Sequence, residues 1–390
     1  MNGKFKNGAI IIEGHVQGLS NTRSLGESGI PVFVVDTSDC IARYSKFCTK
    51  FFKCPEYIKD EFAVFLIDLA EKEKIKDWVL VPSNDHAVIT ISKHKRELEK
   101  YFKVITPHYR IIEKIYDKLK LTGIARDSGV PVPETYHAVL KPGDIPEDIK
   151  FPVLIKGRSG LSFYKKLGKK AFLVHDRIQM DNCLSDINLK NEFENSFIQE
   201  LIPSDGTNNT VSFTAFCEHG DIKTYWMGIK LREHPIQFGT ATFAESVFEN
   251  DCHVNSVKLL KKLDYTGVCE IEYIRDPRDG LYKLIEMNAR TWLWVSLARE
   301  CGVDYAKYIY CYCQDLPVDF PGKYALGIRW INYFTDTIFS VKAFLAGKLR
   351  INEYLTSLKG PRIPAIWNRR DKIPGIMFFV LLPCIIFKRG

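Results

Sequence analysis

Short, unbroken runs of apolar residues alternate with amphipathic stretches near the start of the chain. Residues 9–14 and 31–36 are predicted as short buried strands, the second of which ends in an acid, and a polar turn and a helix to Leu25 separate them. A further buried run, Trp78–Pro82, leads directly into the polar residues 83–85 (Ser-Asn-Asp). This order predicts a parallel sheet with right-handed crossovers, whose carboxyl edge is where such sheets bind ligands.

The pattern changes after the first third of the chain. Apolar residues at helical spacing predict one helix that continues to Gly129, and the following Val-Pro-Val-Pro forces an extended exit that marks a domain boundary. Strands are then predicted at residues 151–156 and 197–202. Residues 210–285 indicate antiparallel strands, with a hairpin turn at residues 276–280 (Asp-Pro-Arg-Asp-Gly).

Composition narrows the classes of function. The chain has 390 residues, of which 46% are hydrophobic and 26% charged, which suits a folded protein of two or three packed units and excludes wholesale disorder. The net charge is +8, but basic and acidic residues are interleaved, so we expect no nucleic-acid partner. Eleven cysteines without a Cys-x-x-Cys spacing, and the lack of an export leader, predict a cytoplasmic protein without a zinc site.

The predicted hairpin carries the most informative polar residues. Strand periodicity puts Glu270 and Glu272 on one face of its first strand. The same periodicity aligns Glu286, Asn288 and Arg290 on the second strand. Two carboxylates and an amide would then face one space, and hard oxygen ligands of this kind suit Mg²⁺. The alternative is a strand pair with solvated acidic faces, but these acids lie in an apolar run, where unpaired carboxylates are costly.

The end of this hairpin, Leu-Ile-Glu-Met-Asn-Ala-Arg at residues 284–290, resembles the E-x-N-x-R motif of ATP-grasp enzymes. That family includes biotin carboxylase, D-alanine ligase, D-aspartate ligase and carbamoyl-phosphate synthase. The resemblance extends from the first strand to Leu316, with the motifs in the family's order. It implies an α/β fold in which two α+β lobes sandwich ATP. The implied parts are a Rossmann-like, pre-ATP-grasp parallel-sheet domain (1–113), a small ATP-grasp lobe with a lid (114–196), a large lobe with the metal site (197–318) and a C-terminal extension (319–390).

The resemblance also implies roles in the large lobe. By this resemblance, Mg²⁺, or Mn²⁺ as a substitute, binds three residues: Glu272, Glu286 and Asn288. Glu270 would support them, and Arg290 would steady the phosphates or the acyl-phosphate. Lys230 and Arg232 resemble the basic strand that faces the reacting phosphate in carboxylate–amine ligases. Their two-residue spacing predicts that both side chains point the same way.

ATP-binding residues in the rest of the site are implied in the same way. Lys118 would reach the phosphates, and Lys156 would lie near the α-phosphate and adenine. Ser159 and Gly160 lie in a lid, residues 157–170, that has few glycines, so its cradle for the γ-phosphate would depend partly on serines and lysines. The adenine-reading hinge and the ribose acceptor are assigned to five further residues: Gln199, Glu200, Leu201, Ile202 and Asp205. Without the resemblance, these would be ordinary exposed lysines and strand-end or turn residues.

The implied reaction is the ligation of a carboxylate to an amine, with an amino acid as the default substrate. The carboxylate would attack the γ-phosphate of ATP, and the amine would then displace phosphate from the acyl-phosphate. Two alternatives stay open: a nucleotide-binding or regulatory protein without turnover, which the sparse lid suggests, and a kinase that stops at phosphoryl transfer. Residues 14–18 and 83–85 follow strands where the family recognises its substrate, but their types specify no molecule.

The resemblance ends at Leu316, and the chain finishes with a different kind of segment. Residues 372–389 form an apolar run that contains two prolines and is shorter than the ~20 residues of a spanning helix. Basic residues flank it, which is typical of peripheral contact with an anionic membrane interface, while a helix docked on the core is the equally weighted alternative. The interfacial interpretation puts the protein at the inner face of the cell membrane. It suggests a lipid-linked substrate of cell-wall or surface-polysaccharide synthesis.

Overall fold

A computed structural model of the chain describes residues 5–136, 145–203, 210–234, 239–347 and 349–389. Five apolar strands begin the fold: β1 (Ala9–Ile12), β2 (Val32–Asp36), β3 (Lys50–Lys53), β4 (Trp78–Pro82) and β5 (Phe102–Val104). They form a parallel sheet in the order β3-β2-β1-β4-β5. Its helices are α1 (Val16–Glu27), α2 (Glu61–Glu73), α3 (Asp85–Lys93), α4 (Lys95–Leu98) and α5 (Tyr109–Tyr116). The predicted parallel sheet is therefore confirmed.

The single helix that we predicted up to Gly129 is wrong. Two helices, α5 and α6 (Lys118–Asp127), meet at Asp117, which has an extended backbone. The Asp117 carboxylate accepts hydrogen bonds from the backbone N–H groups of Leu119 and Lys120, so it caps α6 where α5 ends. The apolar spacing continues across the break because both helices bury residues in the same core cluster.

A small antiparallel sheet follows α6. Its strands are β6 (Thr135–Tyr136), β7 (Val153–Gly157), β8 (Ala171–Val174) and β9 (Ser196–Glu200), in the order β6-β9-β7-β8. The helices are α7 (Gly160–Leu167), α8 (Arg177–Ser185) and α9 (Ile187–Lys190). Strand β9 ends before Leu201 and Ile202, which we had predicted as strand residues.

A large antiparallel sheet comes next in the chain. Its first strands are β10 (Thr210–Glu218), β11 (Asp221–His234), β12 (Thr240–Ser246), β13 (Gly267–Arg275) and β14 (Tyr282–Asn288). The helices are α10 (Asn250–Leu263), α11 (Val295–Glu300) and α12 (Tyr305–Cys313). We predicted only strands over 210–285, and α10 corrects that prediction. Its buried face includes Cys252, Asn255 and Ser256, so it lacks a clear apolar stripe in the sequence.

The C-terminal part adds strands to the same sheet. These are β15 (Arg329–Ile331), antiparallel to β12, and β16 (Arg362–Pro364), parallel to β15. The remaining helices are α13 (Tyr333–Leu345), α14 (Ile351–Ser357) and α15 (Ile373–Arg389). We call residues 333–389, which contain these three helices, the C-terminal segment.

Helix α15 is docked on the core along one face and exposed along another. Phe378 and Leu381 are buried, and the helix packs against the short 3-10 helix Ile41–Tyr44. Ile376 and Val380 are exposed instead. The docked-helix alternative is thus correct for one face of α15. In the described part of the chain, no helix is long and apolar enough to cross a membrane.

Candidate active site

Two lysine–glutamate pairs lie on the β13–β14 hairpin. The strand register puts Glu272 directly opposite Glu286. The Lys230 Nζ on β11 donates to the Glu272 Oε2 at 2.7 Å, and the Lys118 Nζ at the start of α6 donates to the Glu286 Oε2 at 2.5 Å. Two predicted metal ligands and two predicted phosphate-binding lysines therefore meet in one place, although they come from four elements.

In each pair, the surroundings fix the charge of one member. The Lys118 ammonium holds the pKa of the Glu286 carboxyl well below its usual range, so Glu286 is ionised. Burial works against the charge of Lys230, but Glu272 and Glu233 outweigh it and raise the pKa of the Lys230 ammonium. The site thus keeps the Lys230 ammonium and the Glu286 carboxylate charged.

A third carboxylate, Glu270, lies next to these pairs. It is 3% exposed and accepts hydrogen bonds from the Ser212 Oγ at 2.9 Å and the Asn288 Nδ2 at 3.1 Å. Burial raises the pKa of Glu270, and the nearby Glu272 carboxylate adds to this. Glu270 orients the Asn288 amide so that its oxygen, Oδ1, faces away from Glu270 and lies 3.4 Å from the Arg290 Nη2.

The oxygen atoms of this cluster fit a hard divalent cation. Glu272, Glu286 and Asn288 offer two carboxylates and one amide oxygen on neighbouring rigid strands. Among the described residues, no group of three or more His, Cys, Asp or Glu side chains could hold a metal. Three protein oxygen donors suit an ion that completes its shell with water and phosphate oxygens, as Mg²⁺ does.

Arg290 connects the hairpin to the N-terminal sheet. Its Nε and Nη2 donate to the two carboxylate oxygens of Asp85 at 2.5 and 2.9 Å, and Tyr116 donates to the same carboxylate at 2.7 Å. Burial opposes the charge of Arg290, but Asp85 outweighs it and raises the pKa of the guanidinium. Sequence reasoning missed Asp85 and Tyr116 as partners of Arg290. The signal was an acidic residue at the carboxyl end of a buried strand.

On the small sheet, Lys156 and Gln199 lie side by side. The Lys156 Nζ donates to the Gln199 Oε1 at 3.1 Å, and the Gln199 Nε2 donates to the Thr135 Oγ1 at 3.1 Å. Burial lowers the pKa of Lys156 to about 7, and the nearby Lys118 ammonium acts in the same direction. Lys156 is thus a buried amine that is only half protonated at neutral pH, and an arriving anion would favour its charged form.

The remaining hinge residues are held by the protein itself. The Glu200 carboxylate accepts from Arg278 at 2.6 Å and from Lys283 at 3.2 Å, so it ties β9 to the β13–β14 turn. The Leu201 N–H donates to the Pro152 carbonyl at 3.1 Å, and Ile202 is buried. The predicted ribose acceptor, Asp205, lies outside the described residues.

The lid begins with a helix rather than a loop. Ser159 caps α7 by accepting from the backbone N–H of Ser162 at 3.4 Å, and Gly160 is the first helical residue. A Cβ atom at Gly160 would lie 3.4 Å from the Lys118 Cε, so the N-terminus of α7 approaches the lysine that binds Glu286. Helix N-termini favour anions, and this N-terminus lies beside the Lys118 side chain.

The prediction that Lys230 and Arg232 point the same way is wrong. The register of β11 against β12 shifts between them, because Lys230 pairs with Ala244 and Arg232 with Phe243. The bulge turns Arg232 away from Glu272. Its guanidinium makes two bonds to the Asp336 carboxylate, at 2.8 and 2.7 Å. Arg232 thus anchors α13 to β11.

Polar residues also gather at the carboxyl edge of the parallel sheet. Glu13, directly after β1, has a left-handed backbone with φ of 72°, and its carboxylate accepts from Gln17 at 2.8 Å and Asn84 at 3.3 Å. Gln17 also donates to the Ser83 carbonyl at 3.0 Å. The Gln17 Oε1 is buried without a hydrogen-bond partner among the residues that the structure describes. Glu13 was missed as a candidate, although an acid that ends a buried strand was its signal.

The chain is similar to several known proteins. Residues 236–309 match the family model described as carbamoyl-phosphate synthase L chain, ATP binding domain. The D-aspartate ligase of Enterococcus faecium is 27% identical to the chain over 305 residues, covering 74% of this chain and 72% of that protein.

Two solved structures have a similar fold. Biotin carboxylase from Campylobacter jejuni, solved as a beta-gamma-ATP complex, has a TM-score of 0.66 and 15% identity, covering 82% of this chain and 74% of that one. The L-amino acid ligase from Bacillus licheniformis has a TM-score of 0.59 and 14% identity, covering 78% and 73%. The fold of the chain is therefore the fold of these enzymes.

Proposed function

We propose that the chain is an ATP-dependent carboxylate–amine ligase of the ATP-grasp family, and that it joins a small carboxylate to an amino acid through an acyl-phosphate. The similarity to the carbamoyl-phosphate synthase ATP-binding domain and to D-aspartate ligase supports this proposal. The observation that carries this proposal is the pair of facing carboxylates, Glu272 and Glu286, each bound by a lysine from another element. A solvated acidic hairpin would not need a lysine from another element on each of its facing carboxylates, one of them the buried Lys230. A phosphate-transfer site needs both signs of charge in one place.

We propose that ATP binds between the two antiparallel sheets. Lys118, Lys156 and the N-terminus of α7 would hold its phosphates, since each carries positive charge or N–H groups close to the hairpin. Glu272, Glu286 and Asn288 would hold Mg²⁺, or Mn²⁺ in its stead. Bound Mg²⁺ would neutralise part of the phosphate charge. The lysine side chains would then be able to move with the phosphates during the reaction.

In the proposed reaction, a carboxylate oxygen of the substrate attacks the γ-phosphorus, and the bond to the β-phosphate oxygen breaks to release ADP. The amine nitrogen then attacks the acyl carbon, the carbon–oxygen bond to phosphate breaks, and the amine loses a proton. Lys230 remains cationic next to Glu272 and stabilises charge on the transferred group. Arg290 contributes through its position, because Asp85 holds it at the edge of the parallel sheet.

We propose that the amino acid binds at that edge. The Glu13 carboxylate and the Gln17 Oε1 are acceptors suited to an ammonium group, and they lie beside Ser83 and Asn84. The relative from Enterococcus faecium is a D-aspartate ligase, so D-aspartate heads the list of amino acids to test. We further propose a cytoplasmic enzyme of cell-wall or surface-polysaccharide synthesis, because the apolar, basic-flanked tail at residues 372–389 suits a carboxylate substrate that is held at a membrane.

An isotope experiment tests the acyl-phosphate step. The chain is incubated with ATP, Mg²⁺, a panel of amino acids and carboxylates labelled with ¹⁸O in both carboxyl oxygens. We expect ADP release that depends on both substrates and phosphate that carries one ¹⁸O atom. Unlabelled phosphate would contradict the mechanism. Tight ATP binding without turnover for any pair would favour a nucleotide-binding protein, and phosphoryl transfer that consumes no amine would indicate a kinase.

A further inference from the structure

The C-terminal segment carries most of the net charge of the protein. Residues 333–389 contain ten Lys and Arg residues and three Asp and Glu residues, a net charge of +7 against +8 for the whole chain. Two of the three acids are buried in ion pairs, Asp336 with Arg232 and Asp371 with Arg23. Our expectation of interleaved charge is therefore wrong for this segment, whose exposed face is basic.

The same segment exposes an unusual share of apolar surface. Of the 23 large apolar side chains that are exposed on described residues, 12 belong to it. On α13, Ile338, Val341 and Leu345 follow one another at helical spacing, and Leu345 is 77% exposed. On α15, Ile376 and Val380 are also exposed. Scattered single residues are normal on a protein surface, but a cluster of this size marks an interaction site.

The apolar residues of the three helices form one continuous surface. A groove of about 300 Å³ between α13 and α15 is lined by Phe334, Ile338 and Phe379. A second groove of about 170 Å³ between α13 and α14 is lined by Val341 and Ile351 among others. Helix α13 takes part in both grooves, so it joins the apolar sides of α14 and α15.

This surface is fixed to the body of the protein at both ends. The buried Arg23 guanidinium binds the Asp371 carboxylate at 2.9 Å and the Ile366 carbonyl at 2.8 Å, which holds the start of α15. Arg232, which lies two residues after Lys230 on β11, holds α13 through its ion pair with Asp336. The surface therefore has a defined orientation relative to the candidate active site.

We propose that the C-terminal segment docks the protein on an anionic lipid bilayer, with the exposed apolar side chains in the interface and the basic side chains against lipid phosphates. The charge selects this partner. A second copy of the chain would bring one surface of charge +7 against another, whereas an anionic bilayer complements it. The proposal does not depend on the ligase chemistry, and it would give that chemistry access to substrates held at the membrane.

Vesicle co-sedimentation of the full chain tests the proposal. We expect binding to vesicles that contain phosphatidylglycerol and none to pure phosphatidylcholine. The charge variant Arg369→Gln/Arg370→Gln/Lys372→Gln should bind about 100-fold more weakly, since each exposed cation near the surface contributes about fivefold. Its matched control removes three exposed lysines from α10, Lys258→Gln/Lys261→Gln/Lys262→Gln, and should stay within about twofold of wild type.

A second set of variants tests the apolar contribution. Leu345→Ser/Ile376→Ser/Val380→Ser should also abolish binding, whereas Val64→Ser/Ile178→Ser/Leu326→Ser, whose sites are equally exposed elsewhere, should not. All six sites are at the surface, so thermal unfolding should be unchanged. Failure to bind anionic vesicles, or equal losses in the control variants, would overturn the proposal. Dimerisation in solution that the first apolar variant abolishes, without vesicle binding, would also overturn it and identify an interface between copies.

Fluorescence gives an independent readout. Trp367 is 45% exposed within the proposed surface, while the other five tryptophans are buried. Vesicles with brominated phosphatidylglycerol should quench part of the emission, and Trp367→Phe should remove that quenched part. Quenching that persists in Trp367→Phe would show that another surface meets the bilayer and would overturn the proposal.

Discussion

The β13–β14 hairpin and the C-terminal segment both concentrate charge, but they do so in opposite ways. On the hairpin, Glu272 and Glu286 each bind a lysine within hydrogen-bond distance. In the C-terminal segment, Arg369, Arg370 and Lys372 are exposed and form no ion pair with any described residue. The difference shows two uses of charge in one chain. Buried charges must be paired within the folded protein, whereas exposed cations are available to bind a partner outside it.

The largest expected effect comes from breaking the buried Lys230–Glu272 ion pair. Lys230→Met would leave Glu272 without its cation, and we expect the protein to lose about 3–5 kcal/mol of stability. Lys372→Met removes an exposed lysine of the C-terminal segment and should change stability by less than about 0.5 kcal/mol. Urea unfolding followed by circular dichroism measures both. Equal midpoints for the two variants would contradict the contrast between the regions.

Glu286→Gln tests the role of the hairpin in turnover. The change keeps the shape of the side chain but removes the carboxylate that faces Glu272, and we expect ADP release to fall about 10²–10³-fold. Glu353→Gln, which removes an exposed carboxylate from α14, is the matched control and should retain full activity. Steady-state ADP release with saturating ATP provides the comparison. Near-normal activity of Glu286→Gln would exclude Glu286 from the reaction.

Much of the hairpin could be predicted because its determinants are local. Alternation put Glu270 and Glu272 on one face of the first strand, and Glu286 and Asn288 on one face of the second. The register that sets Glu272 opposite Glu286 also depends on an irregularity between Glu272 and Tyr273, which the turn at Asp276–Gly280 does not predict. The first sheet was predictable for a similar reason, since its short apolar strands are buried on both faces. The resemblance to ATP-grasp enzymes rested on the same local motif.

Contacts between distant residues could not be predicted in this way. Arg290 binds Asp85 at a separation of 205 residues, and Arg232 binds Asp336 at a separation of 104. Nothing in the spacing of Lys230 and Arg232 reveals the bulge that turns the second side chain away. The basic residues that flank the final apolar run were visible in the sequence, but the whole-chain balance concealed that residues 333–389 carry a net charge of +7.

A smaller effect on stability is expected when two neighbouring residues of α15 are each replaced by alanine. Leu381 is buried and Val380 is 62% exposed. Leu381→Ala should lower stability by about 2 kcal/mol, because it opens a cavity where α15 meets the core. Val380→Ala should lie within about 0.5 kcal/mol of wild type, since it removes only surface contacts. Thermal unfolding of both variants would measure this difference. Two equal shifts would mean that α15 does not dock by the face that we describe.

The smallest expected effect concerns Lys156. Like the hairpin charges it is buried, and like the exposed cations of the C-terminal segment it would be paired by a ligand from outside the protein. Its pKa of about 7 means that the charged fraction falls from about one half at pH 7 to about one tenth at pH 8. Bound phosphate would restore the charge, so ATP binding should take up a proton and weaken about fivefold over this interval. Lys156→Arg keeps its charge and should show no such loss. Glu270 and ATP titrate equally in both proteins, so calorimetric ATP affinities with the same pH slope in each would exclude Lys156 as the source.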